Sequence, residues 1–203
     1  MEKIREYLLH LEMAISTIPV DRVQKVVEYL LSARENDRQV FILGNGGSAS
    51  TASHFACDLG KGTIHGDSRR FRVISLTDNV ALMTAWSNDS SYDDVFKEQL
   101  ENLLVPGDLV LGISASGNSR NVLNAMEYAN SMGCTTIGFA GFGGGRLADM
   151  VDECIIVDSY RYGPVEDVHL VLEHMISFCI TEELAGESVL VSGGTRDKVA
   201  ATD

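Results

Sequence analysis

Gln39-Val40-Phe41-Ile42-Leu43, followed at once by Gly44-Asn45-Gly46-Gly47-Ser48, decides the reading of the fold. The first five residues are an apolar run of strand length, and the next five are rich in the glycine that lets a chain turn sharply. Beyond them Ala52, Phe55, Ala56 and Leu59 recur on one helical face. Strand, tight turn and helix therefore succeed one another with no linker between them.

The same unit recurs toward the C-terminus. Phe71 to Leu76 is strand-like, and Thr77-Asp78-Asn79 opens a helical stretch from Val80 to Trp86. Leu109 to Ile113 is a strand ending in Ser114-Ala115-Ser116-Gly117-Asn118-Ser119, before a helix from Asn121 to Met132. Thr135 to Ala140 leads into the glycine cluster at 141–145 and a short helix, and Cys154 to Val157 is the last strand. Strands alternating with helices need crossover connections, which predict an α/β domain: a doubly wound parallel sheet with helices on both faces.

Flanking segments complete the layout. Residues 1–35 read as two helices interrupted at Ile18-Pro19-Val20-Asp21, an N-terminal helical segment that packs on the domain or in an oligomer interface. The α/β domain is expected over 36–186. Its last helix, from Pro164 to about Leu184, carries Val168, Val171, Leu172, Met175, Ile176 and Cys179 at helical spacing. Residues 187–203 turn to Ser, Gly, Thr and Asp and are expected to be a flexible tail.

Composition narrows the classes of function. The 203 residues are 45% hydrophobic, enough for one sizeable core. A formal charge of -13 sets a repulsive average field against nucleic acid or an anionic membrane, so neither is expected as a partner. A phosphorylated small molecule stays open, because backbone amides at a helix start bind anions whatever the net charge. Cys57, Cys134, Cys154 and Cys179 form no C-x-x-C pair, which argues against a zinc ribbon or disulfide framework. With no apolar run of spanning length, the reading is cytoplasmic.

Chemistry is expected at the carboxyl ends of the strands, where ligands bind in open parallel sheets. The turn at 114–119 offers three hydroxyls, a glycine and a helix N-terminus, a set suited to a phosphate monoester. The turn at 44–48 has too little side-chain bulk to shield its backbone and can admit a sugar. Glycines that merely make turns, and serines that merely cap helices, are the plain alternative. G-x-G-x-x-G is absent from both turns, which disfavours a dinucleotide.

These two turns, with His54-Phe55-Ala56 after the first and with Asn88-Asp89 and Val168-His169 to His174, resemble the SIS-domain phosphoheptose isomerases from about Val40 to Ile180. The resemblance implies a SIS-domain, flavodoxin-like three-layer sandwich and aldose-ketose isomerisation of sedoheptulose 7-phosphate. It also implies a phosphate cradle at Ser114, Ala115, Ser116 and Ser119, with Asn45, Gly46, Gly47, Ser48, Asp89 and Glu166 near the sugar. Asp58 and His174 take the catalytic positions. Zinc is the implied cofactor, through His54, Asp58, Glu166 and His174, and the implied partner is the chain itself, as a homotetramer.

Elementary geometry bears on these residues separately. His54 and Asp58, at i and i+4, leave one helical face a turn apart. Glu166 and His174, eight residues apart, can share a broad face. Two imidazoles and two carboxylates make an N/O set acceptable to zinc. The alternatives are a weak surface contact for His54 and Asp58 and a core role for His174, with His169 and Glu173 facing the site instead. Where the family usually has glutamate and glutamine, this chain has Asp58 and Glu166, which keeps isomerisation of another phosphosugar, or a non-catalytic sugar-phosphate or protein-binding role, in play.

Overall fold

The computed structural model describes residues 1–192, with side chains through residue 186. Helices α1 (Glu2–Ser16) and α2 (Val20–Glu35) come first, and Pro19 caps α2 where its missing N–H goes unneeded. Strand β1 (Gln39–Gly44) is followed by α3 (Gly47–Cys57), which runs on into a π-helical turn over Asp58–Gly62. Then come β2 (Arg72–Ser75), α4 (Val80–Asp89), a 3-10 turn over Tyr92–Asp94 and α5 (Lys97–Leu103). Strand β3 (Leu109–Ser114), α6 (Arg120–Ser131), β4 (Thr135–Ala140), α7 (Gly145–Met150), β5 (Glu153–Ile156) and α8 (Tyr162–Ser192) complete the order.

The five strands form one sheet in the order β2-β1-β3-β4-β5, and every pair is parallel. Side chains alternate across it as the two-residue period requires. Val40 and Ile42 of β1 join Leu109, Leu111, Ile113, Ile137 and Phe139 on one face. Phe41 and Leu43 join Val110 and Ala140 on the other. Helices α2, α3 and α8 cover the first face through Val26, Leu30, Phe55, Val168, Leu172 and Ile176. Helices α5, α6 and α7 cover the second through Leu100, Val122, Met126 and Leu147. Each such side chain, fully buried, contributes roughly 1.5–3 kcal/mol before entropy is counted.

This is the doubly wound three-layer sandwich that the sequence predicts. Unforeseen are α5 and the 3-10 turn, too short to show a period. The N-terminal helices cover their own sheet: Ala14, Val23, Val26, Val27 and Leu30 lie in the same core as β1. Helix α1 nevertheless leaves Ile4, Leu8, Leu9 and Met13 exposed. Helix α8 continues to Ser192, and the rest of the expected tail lies outside the described residues. Among the described residues no helix is long and apolar enough to cross a membrane.

Strand order reverses between β1 and β3, so the crevice that such a sheet offers a ligand opens beyond Gly44 and Ser114. Both motif turns fall there.

Candidate active site

The turn after β3 is built for close approach. Gly117 has φ +63°, and a Cβ there would lie 1.9 Å from the Gly144 carbonyl oxygen, so only glycine fits. Ser114 is buried and donates its hydroxyl to Ser119 at 3.0 Å, while the Asn118 amide donates to Ser116 Oγ at 3.2 Å. Ser119 stands at the N-cap of α6 without capping it, and of the first-turn amides the Val122 N–H donates to Asn121 Oδ1 at 2.9 Å.

Across the crevice, Asn45 and Asn121 exchange hydrogen bonds at 2.8 and 2.9 Å. The Tyr92 hydroxyl donates to the same Asn45 oxygen at 2.7 Å. Asn45 is thus held in one orientation with one amide N–H free. Gly46 supports the turn with φ +55°. Gly47 lets the Glu166 carboxylate rest on the start of α3: a Cβ there would lie 2.7 Å from Glu166 Oε2. An acid beside a helix N-terminus is favourably placed. Asn45, Ser48, Ser114, Ala115, Ser116, Ser119, Tyr162 and Glu166 line a single cavity of about 170 Å³. Asp89, at the end of α4, is not among the lining residues and accepts a hydrogen bond from Asn88 at 2.7 Å.

Farther along the same two helices lies a second group. His54, Asp58, Glu173 and His174 each offer a donor atom, all within 4.8 Å of one another. His54 leaves α3 one turn before Asp58, which opens the π-helical turn, and its Nε2 is 3.8 Å from Asp58 Oδ1. From α8, His174 and Glu173 meet them: Glu173 Oε1 is 3.3 Å from His54 Nδ1 and 3.2 Å from His174 Nε2. The two imidazoles stand nearly perpendicular, with centroids 4.9 Å apart. His54 and His174 are half exposed, whereas Glu173 is fully buried and its carboxylate oxygens have no hydrogen-bond partner. Burial, and secondarily the Asp58 carboxylate, pushes the Glu173 carboxyl up to about 8.

Four of the residues expected in catalysis or metal binding are thereby sorted. His54, Asp58 and His174 are brought together. Glu166 is not: it precedes His174 by about 12 Å of helix, at about 1.5 Å per residue, and lines the cavity beside the serine turn. The core histidine of α8 is His169, buried against Phe139, its pKa pushed down to about 4 by burial, which outweighs an opposing contact with the Ala140 backbone. The donor set suits a divalent cation, since two imidazoles and two carboxylates satisfy zinc and the orphaned Glu173 oxygens call for a positive partner. Sequence reasoning missed Tyr92, Asn121 and Tyr162. None carries a local signal; only the fold brings them to Asn45 and the cavity.

Known proteins resemble the chain over most of its length. A family profile described as SIS domain matches residues 5–141. The phosphoheptose isomerase of Aliarcobacter butzleri is 37% identical over 184 residues, 90% of this chain and 97% of its own. The chain belongs to the SIS-domain phosphoheptose isomerase family. The probable phosphoheptose isomerase of Thermoplasma acidophilum is also 37% identical, over 88% of this chain and 98% of its own. The structure of phosphoheptose isomerase from Neisseria gonorrhoeae superposes with a TM-score of 0.83 at 30% identity, covering 89% of this chain and 98% of that one. In this family member the sheet, the serine turn and the His54 helix come in the order that the sequence reading expects.

Proposed function

We propose that this chain is a cytoplasmic aldose-ketose isomerase that converts sedoheptulose 7-phosphate to D-glycero-D-manno-heptose 7-phosphate through an enediol. The observation that carries the reading is a carboxylate and an imidazole, Asp58 and His174, held on the two helices that also flank an anion-binding cavity. Kinship with proteins named phosphoheptose isomerase supports the same conclusion.

The serine turn grips the phosphate. Ser114, Ser116 and Ser119, with the backbone at Ala115 and the start of α6, supply hydroxyl and amide donors, and Asn45, Gly46, Gly47, Ser48, Asp89 and Glu166 hold the sugar hydroxyls. Six residues of α3 separate Ser48 from His54, about 9 Å of helix rise, so a ligand reaching both groups is an extended chain with its anion at one end and its reacting carbons at the other. An open-chain sugar phosphate has that form. One member of the Asp58 and His174 pair removes the proton from the carbon beside the carbonyl, and the other moves protons on the oxygens. Zinc bound at the His54, Asp58 and His174 group would polarise the carbonyl and hydroxyl oxygens of the substrate.

Assembly fits the same reading. The exposed apolar residues of α1 suit packing between copies, and a homotetramer is the state expected of it. The direct test incubates purified protein with sedoheptulose 7-phosphate in heavy water, with and without zinc, and follows the sugar by NMR. A new aldose with deuterium at the exchanged carbon is the expected result; neither product nor exchange under both conditions would remove the assignment.

A further inference from the structure

Glu173 sits where a carboxylate needs a reason. It is fully buried, and among the described residues it is the sole carboxylate with both oxygens enclosed and without a hydrogen-bond partner. Leaving such a group unpaired costs far more than an ordinary hydrogen bond returns. Yet Oε1 is not distant from other polar atoms: it lies 3.3 Å from His54 Nδ1 and 3.2 Å from His174 Nε2. At those separations a hydrogen bond is within reach, but the angles do not form one.

Donor atoms aimed at a common point show this combination. A tetrahedral ion with bonds of about 2.0–2.2 Å holds its ligand atoms about 3.3–3.6 Å apart, and lone pairs converging on the ion do not point at one another. The two spacings at Glu173 Oε1, 3.3 and 3.2 Å, lie at and just below the short end of that range, and one donor atom from each of the four residues lies within 4.8 Å of the others. Charge balance agrees, because an ion bound here would face the carboxylates of Asp58 and Glu173, whose two negative charges offset one divalent cation. Glu166 cannot join them within one chain: it lies two helical turns back, against Gly47 in the anion cavity.

We infer that Glu173 supplies the second carboxylate of the divalent-cation site, so that His54, Asp58, Glu173 and His174 of one protomer hold the ion and Glu166 is left to the sugar phosphate. The inference rests on the isomerase reading for its purpose, though not for its geometry. It separates this chain from an arrangement in which Glu166 of a neighbouring copy completes the centre.

The test uses the full chain, stripped with a chelator and titrated with zinc against a chromophoric competitor, with cobalt absorption as a second readout of the coordination sphere. Wild type and Glu166→Gln are expected to bind one ion per chain with affinities within about threefold of each other. Glu173→Gln should bind more than about 100-fold more weakly, beyond what loss of an outer-sphere partner costs, and its cobalt spectrum should lose the tetrahedral bands. Since Gln is isosteric, the variant should stay folded; circular dichroism checks this. If it does not fold, Glu166→Gln still decides: loss of its zinc affinity would overturn the inference, as would unchanged zinc affinity in a folded Glu173→Gln. Turnover of sedoheptulose 7-phosphate is measured separately on zinc-loaded wild type. Tight binding through Glu173 without turnover keeps the cation site and removes the substrate; turnover with zinc affinity that depends on Glu166 does the reverse.

Discussion

Glu153, at the start of β5, and Glu173, in the middle of α8, are the same side chain at nearly the same depth, 5% and 0% exposed. Their surroundings are opposites. Glu153 accepts from Arg22 at 2.8 Å and lies 2.9 Å from Lys25, both reaching down from α2, so a buried charge ties the N-terminal helices to the sheet. Glu173 has two imidazoles and another carboxylate around it and no cation. The first arrangement is finished by the chain itself; the second is finished only by something added. The contrast follows the sheet, since Glu153 is at the amino end of its strand, away from the crevice where such folds bind ligands.

The sharpest test of the unfinished end is His174→Gln. An amide cannot shuttle the proton, so turnover of sedoheptulose 7-phosphate should fall by about 100- to 10,000-fold. Melting temperature should stay within a degree or two, because His174 is half exposed and packs no core. Turnover within about threefold of wild type, in steady-state assays with zinc, would show that the cluster is not the catalytic group.

His169 sharpens the comparison from the apolar side of α8. Its pKa of about 4, against an ordinary 6.5, means that the unfolded chain takes up a proton that the folded one refuses between those values. That contribution to stability is complete above about pH 6.5 and declines by about 3 kcal/mol as the pH falls to 4. Denaturant titrations of wild type and His169→Leu across that window should differ in slope accordingly, the variant losing less stability in acid. Parallel curves would mean that the ring is not sealed from water.

How much of this was legible in the sequence differs between the two ends. Each strand announces itself as an apolar run beside a glycine or serine turn, and the helices of the first face by a 3.6-residue period; both signals come from burial, which the chain encodes locally. His54, Asp58 and His174 could be picked out because spacing puts two on one face and kinship points to the third. Glu173 was visible only as an alternative, although a charge inside Leu170-Val171-Leu172-Glu173-His174-Met175-Ile176 is a warning that it needs a partner. Glu166 stands apart from the cluster within one chain, because rotation about a helix axis can be read from sequence spacing more easily than the 12 Å of rise that separates it from His174, at about 1.5 Å per residue. Arg22 and Lys25 show nothing of Glu153 in advance, since the contact spans more than a hundred residues and depends on where α2 lands.

At the finished end, Glu153→Gln should destabilise the protein by about 2 kcal/mol, less than the 3–5 kcal/mol of a fully buried pair because Arg22 and Lys25 are half in water. Urea unfolding measures it, and kcat should be unchanged. An equal loss of kcat would mean that the two ends are coupled, and the division drawn between them would fail.

Tyr92→Phe probes the smallest difference, within the crevice. The hydroxyl is one of two donors that fix the Asn45 carbonyl, the other being Asn121. Removing it leaves the Asn121 bond in place, so Asn45 loosens without turning over. One neutral hydrogen bond is worth about 0.5–1.5 kcal/mol, which predicts KM raised about 2- to 10-fold. The proton-transfer pair is untouched, so kcat should hold while KM moves, since Asn45 faces the sugar in the substrate and the transition state alike. A fall in kcat at constant KM would place Asn45 among the groups that act only as the enediol forms, and would carry the functional end of the molecule across the crevice to β1.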